Sequence, residues 1–305
     1  MIAQKLIFYT LFIVLISSCT NSGDKPLSIN TSNKTETVSE VKHRELSQDF
    51  KDYWYAGKAE ITSYKLVQER YGELREGTAV TVYVTEDFLP NDQVKANNTS
   101  EENIPVLKLN STKKFITGIY PYSIMSSTFS PTTTQNHAIK VSNSVQEWCG
   151  QAYMQLNNRD EYEIVLHTYF EGLADQNSTL PKTWLENELW NLIRINPKEL
   201  PDGELSLIPS FEYIRLHHNE IKSYKATASK TKEGSLIAYT ISYNEIPRQL
   251  TIYYNTTFPF EIERWEETGK SNTLKTTAVK IKRIQTAYWS QNSNKHLVLR
   301  DSLGL

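Results

Sequence analysis

The sequence predicts a mainly β, β-rich α+β protein: a wide, curled antiparallel sheet or half-open barrel of roughly ten to twelve strands with one amphipathic helix. Three observations carry this. Short segments alternate apolar and polar residues between turn signals, as Val80, Val82 and Val84 do against Thr81, Tyr83 and Thr85. Aromatics are plentiful, with 18 Tyr, 10 Phe and 6 Trp, and tyrosine suits a pleated, half-buried surface. One stretch, from Pro181 to Ile195, switches to a helical period.

The first nineteen residues stand apart from that pattern. Lys5 precedes an apolar run from Leu6 to Ile16, and Ser17 and Ser18 lead into Cys19. A charged start, a short apolar core and small residues at a cleavage point describe a secretory signal peptide. The run is well short of the roughly twenty residues that span a bilayer. Its end, Leu15-Ile16-Ser17-Ser18-Cys19, resembles the lipobox of bacterial lipoproteins. That resemblance implies cleavage before Cys19 and acylation of its thiol, giving a membrane anchor. The expected organisation is therefore 1–18 signal peptide, 19–44 lipidated cysteine and tether, and 45–305 a single β-rich domain. The tether is rich in Ser, Thr, Asn and Lys and too poor in apolar residues to fold; it reaches on the order of 25 Å. Thr20-Asn21-Ser22 holds neither an aspartate nor an acidic run, so the expected address is the outer membrane, facing the periplasm.

Within the domain, Leu46–Tyr55 reads as a short helix capped by Ser47. Gly57–Gln68 and Thr78–Val84 form a hairpin, and the Asn-rich stretch from Pro90 to Asn103 is a loop. Ile104–Leu109 and Lys114–Met125 are strand candidates, the second placed at an edge or bulge by Pro121. Ser126–Gln135 reads as a polar loop, Ala138–Leu156 as one or two elements of ambiguous type, and Glu161–Phe170 as a strand. In the helical stretch Leu185, Leu189, Leu192 and Ile193 share a face that Trp184 and Trp190 widen. Thr183 and Glu186 match a capping box, and Asn196-Pro197 is the stop. This helix is expected across the sheet or at a barrel end. Strands then return over Leu205–His217, Ile221–Ser229, Ser235–Tyr243, Gln249–Tyr254, Glu261–Trp265 and Leu274–Trp289.

Net charge is -2, and -3 once Lys5 leaves with the signal peptide, which gives no case for a nucleic-acid partner. With Cys19 acylated, Cys149 has no partner for an intrachain disulfide. Cys149 is the candidate nucleophile, with His137, His167, His217, His218 and His296 as conceivable bases. A buried thiol packed in a core is the favoured reading of it. His217-His218 beside Glu220 were weighed as metal ligands; on a strand the two rings point to opposite faces, so no metal is expected. The carboxylates of Glu261, Glu263, Glu266 and Glu267 around Trp265, and of Asp160, Glu161 and Glu163, are acid/base candidates or solvated sheet faces. P-loop, GxGxxG, GxSxG and EF-hand patterns are absent, and no cofactor is expected.

Residues 53–60 (YWYAGKAE), 70–75 (RYGELR), 147–151 (EWCGQ) and 260–266 (FEIERWE) together resemble a family of lipoproteins of about this length from flavobacterial-type bacteria, often labelled septum formation inhibitor (Maf). The resemblance implies compartment and architecture and supplies no catalytic residue; the chain has no Arg-Arg pair. At the level of fold alone the pattern also resembles the lipoprotein-carrier half-barrel, whose concave face holds acyl chains. The expected function is a non-enzymatic periplasmic lipoprotein binding a lipid or other hydrophobic molecule. An envelope component that binds protein or glycan is the alternative, and a cysteine-dependent hydrolase the third.

Overall fold

Residues 42–269 and 273–305 are described by the structure, a computed structural model. The stretch expected to be a signal peptide, Cys19 and most of the expected tether lie outside the described residues. Val41–Leu305 forms one compact unit. It opens with α1 (Gln48–Trp54) and eight strands in hairpin succession: β1 (Ala59–Arg70), β2 (Glu73–Phe88), β3 (Ile104–Thr117), β4 (Tyr120–Pro131), β5 (Lys140–Glu147), β6 (Gly150–Asn158), β7 (Tyr162–Thr168) and β8 (Gln176–Leu180). The short β9 (Trp184–Leu185) leads directly into α2 (Glu186–Ile195). After it come β10 (Gly203–Ile208), α3 (Phe211–His217), β11 (Tyr224–Glu233), β12 (Leu236–Tyr243), β13 (Gln249–Asn255), β14 (Ile262–Thr268), β15 (Lys275–Thr286) and α4 (Val298–Leu303).

The described strands make one 15-stranded sheet in the order β8-β7-β6-β5-β4-β3-β2-β1-β15-β14-β13-β12-β11-β10-β9. Every pairing is antiparallel except β9 on β10. The meander leaves and returns, and β1 on β15 joins its two halves. Lys113 on β3 and Glu267 on β14 lie four strand steps apart, roughly 19 Å on a flat sheet. Their side chains meet at 2.9 Å, so the sheet is strongly curled. It stays unclosed: β8 and β9 are its edges, and a shared core cluster bridges the gap. Leu156, Ile164 and Leu166 of β6 and β7 pack there with Leu185, Phe211 and Ile214 from β9 and α3.

Helix α2 lies inside that curl. Every residue of it except Trp190 is buried, the polar ones included. Its apolar face packs into the main core with Leu66, Tyr83, Leu107 and Ile252. Strands with one face on such a core show the alternation read from the sequence, as β6 does with Ala152, Met154 and Leu156 buried.

Several expectations need correction. Among the described residues fifteen strands replace ten to twelve, and four α-helices replace the single strong one. The strand expected over Leu205–His217 ends at Ile208, because Ser210 caps a helix by accepting from the Tyr213 amide at 3.3 Å. Lys114–Met125 spans two strands folded back at Gly118, whose φ of +59° suits glycine. The polar stretch after it is strand as far as Pro131, facing β3 and β5. Pro121 sits neither at an edge nor at a bulge. It pairs with Ile116 on one side and lies beyond the register of β5, which starts at Ser123, so its missing donor costs nothing there. The capping box of Thr183 and Glu186 does not form. Thr183 donates to the Ser206 carbonyl at 2.7 Å, and Glu188 instead accepts from the Leu185 amide at 3.0 Å. The expectations for α1 and for Asn196-Pro197 hold: the Ser47 hydroxyl accepts from the Phe50 amide at 3.1 Å, and α2 stops at Ile195.

Candidate functional site

The concave face is occupied by protein. At the start of α2, Glu186 takes Arg248 through both oxygens at 2.9 and 2.5 Å, and Arg248 reaches Glu267 at 2.9 Å. Glu267 shares Lys113 with Glu212, at 2.9 and 2.8 Å. At the far end Arg194 grips Glu60. Between them the Asn191 amide donates to the carbonyls of Leu107 and Thr128 and to the Ser130 hydroxyl. On a third side Glu188 holds His137 Nδ1 at 2.7 Å. The space left beside Trp190, Trp265 and this first cluster is about 40 Å³, room for water and too little for an acyl chain.

Charge within the first cluster is uneven: three carboxylates face two cations. Burial works against Glu267, yet Lys113 and Arg248 hold its pKa down at about 2. Burial raises Glu212 above the usual carboxylate range; Lys113 pulls it back, and the neighbouring Glu267 charge adds to the rise.

One group of accessible aromatic and charged side chains gathers at one end of the curl, the mouth. Antiparallel order puts the β1–β2, β3–β4, β5–β6 and β7–β8 turns there, with the C-terminus of α3. These turns carry exposed Tyr71, Ile119, Trp148 and Tyr169. Behind them runs a belt of rings: Trp148 lies 6.5 Å from Tyr120, Tyr120 lies 6.0 Å from Tyr122, and the Tyr122 hydroxyl meets that of Tyr71 at 2.9 Å. Arg70 covers the Tyr71 ring at 4.2 Å and ties the belt to α3 by donating to the Leu216 carbonyl at 2.6 Å.

Between α3 and strands β6–β8 the mouth opens into a cavity of about 270 Å³. Met154, Leu166, Leu173, Ile214 and Ile221 form its apolar wall, and its polar lining includes Arg215, His218, Asn219 and the carboxylate of Glu220. That volume is near the small end of ligand pockets, roughly 300–1,000 Å³. Arg215 is 6% exposed, and its guanidinium rests on the Phe170 ring at 4.2 Å. Burial, then the Arg70 charge, depress its pKa against the opposing pull of Tyr122, Glu147 and Tyr169.

Cys149 lies at this mouth, in the β5–β6 turn, and is exposed rather than buried. Its amide donates to Glu147 at 2.6 Å. The Glu147 carboxylate raises the thiol pKa, the opposite of what a nucleophile needs. The groups acting on it are Glu147 and Tyr169, and no histidine is among them. His137 is held by Glu188, His167 lies 3.4 Å from Asp175, and His296 faces Ser293. His217 and His218 end α3 rather than lying on a strand. Among the described residues no three His, Cys, Asp or Glu side chains are grouped to hold a metal. Of the acidic candidates, Glu261 and Glu263 both accept from Lys280, Glu266 pairs with Arg264 and Glu163 with Arg159, while Asp160 and Glu161 form no ion pair among the described residues.

Sequence reasoning passed over Arg215 and Arg70. The one signal at hand was Arg70 beside Tyr71 in a turn; Arg215 lay inside a stretch read as strand. Among the described residues no helix is long and apolar enough to cross a membrane. In comparison with known proteins, no family model, no curated protein and no solved structure matches the chain.

Proposed function

We propose that this chain is a non-enzymatic envelope lipoprotein, anchored through Cys19, that binds a hydrophobic small molecule at the mouth of its half-barrel. The observation that carries the reading is the cavity between α3 and β6–β8, with an apolar wall of Met154, Leu166, Leu173, Ile214 and Ile221. The interior of the curl is filled by α2, so the ligand belongs at the mouth and not along the concave face. Native mass spectrometry of the full chain with decanol tests it. A one-to-one adduct that Ile221→Trp abolishes supports the reading, and no adduct sinks it. For the anchor, Cys19→Ala should release the protein from membranes or block its processing. A mutant that stays membrane-bound at normal mature size rules the anchor out.

A second reading, an envelope protein partner, is favoured by the exposure of the hairpin tips: Ile119 is 82% exposed, Trp148 68% and Tyr71 61%. Crosslinking at Trp148 that recovers no defined partner counts against it.

A further inference from the structure

Arg215 is the group that the rest of the molecule leaves unexplained. Buried charges in proteins are paired or bind ions, because desolvating one alone is costly. The other deeply buried arginines obey this: Arg194 pairs with Glu60, and Arg248 with Glu186 and Glu267. Among the described residues, no carboxylate pairs with Arg215 and no hydrogen-bond acceptor meets its Nε. Two carboxylates lie nearby without pairing with it: Glu147 accepts from the Cys149 amide and acts on Arg215 only as a neighbouring charge, and Glu220, on the cavity lining, pairs with Lys222 at 2.8 Å.

Asn219 also lines the cavity, with its buried side-chain nitrogen turned to the Tyr213 hydroxyl rather than to the open space. Arg70, likewise without a carboxylate partner, donates to Leu216 from the next turn of the rim. A guanidinium without an ion-pair partner, with a second cation near it, thus borders a pocket whose other wall is largely apolar. A planar, five-donor guanidinium suits a carboxylate or phosphate oxygen pair.

We infer that the mouth cavity is an acid-selective site: it takes an amphiphile whose anionic head, carboxylate or phosphate, is held by Arg215 while its apolar tail lies against Ile214, Ile221 and Leu166. This rests on the proposal that the cavity binds a hydrophobic molecule, and it names the class of that molecule. Phe170, stacked on the guanidinium, fixes the plane in which the head is met.

Isothermal titration calorimetry of the full chain with decanoate, decyl phosphate and decanol, each below its micelle concentration, separates the two proposals. Charge-assisted hydrogen bonds should make the better anion bind roughly tenfold or more tighter than decanol. Arg215→Met should remove that preference, bringing both anions to the affinity of decanol for the same variant, and Arg215→Lys should restore part of it. A phosphate preferred over a carboxylate assigns a phosphoryl head, and the reverse order a fatty acid. Decanol binding as tightly as both anions to the unmodified chain overturns acid selectivity and leaves the hydrophobic site standing. If none of the three binds, both proposals fall. The comparison on the unmodified chain decides the matter even if the variants fold poorly.

Discussion

Arg194 on α2 donates to both carboxylate oxygens of Glu60 on β1, at 2.6 and 2.7 Å, with neither side chain more than 2% exposed. The guanidinium is also stacked, 5.1 Å from the Trp54 ring and 4.8 Å from Tyr83. Removing one member of a buried pair strands the other, so Glu60→Ala should cost about 3–5 kcal/mol. The double variant Glu60→Leu/Arg194→Met should cost less than the two single changes together. Urea unfolding of all four proteins checks this; additive single costs would mean the pair is not coupled.

Two carboxylates on one lysine should respond to pH in opposite senses. Glu267, held at about 2, contributes stability that is present above the unfolded value of about 4.3 and lost as pH falls towards about 2. Glu212 is raised, so its contribution is present below about 4.3 and lost as pH rises through its folded value. Glu267→Gln should therefore weaken the fold at neutral pH and flatten its acid loss. Glu212→Gln should strengthen the fold at neutral pH, with the gain gone in acid. Unfolding midpoints across that range should diverge for the two variants.

His137 faces burial that opposes its charge, but the hydrogen bond and charge of Glu188 outweigh it and raise its pKa. A raised histidine gives stability fully present below about 6.5 and lost as pH climbs through the folded value. His137→Gln should remove that alkaline-side decline, measured as the slope of unfolding free energy from slightly acidic to alkaline buffer. An unchanged slope would show that the pair contributes nothing.

Gly77 of β2 lies between Leu66 of β1 and Phe115 of β3. A Cβ there would run into the Lys114 carbonyl oxygen and close on the Phe115 Cβ, and backbone in a central ladder has little room to yield. Gly77→Ala should cost about 1–3 kcal/mol, read by thermal or urea unfolding. A substitution without effect would mean that the strands separate here more easily than their register implies.

What the sequence determined by itself is local. The alternation through Val80, Val82 and Val84, the Ser47 cap and the i, i+4, i+7 spacing from Leu185 each concern neighbours within a few residues. Those are the distances over which backbone geometry sets side-chain direction. The mainly β character, α1 and the end of α2 were legible for that reason. Where two local readings competed, as at Leu205–His217, the apolar run masked a change of period until the Ser210 cap resolved it.

Tertiary structure decided everything that depends on separation in sequence. Glu60 is 134 residues from Arg194, Lys113 154 from Glu267, and no spacing rule links them. Only the curl of the sheet brings β3 to β14, and that curl follows from wrapping fifteen strands around a helix. The same wrapping filled the concave face where an acyl chain was expected. It also left Arg215 without an ion-pair partner among the described residues, because an arginine's partner, or the lack of one, is fixed by what folds across from it and not by its neighbours in the chain.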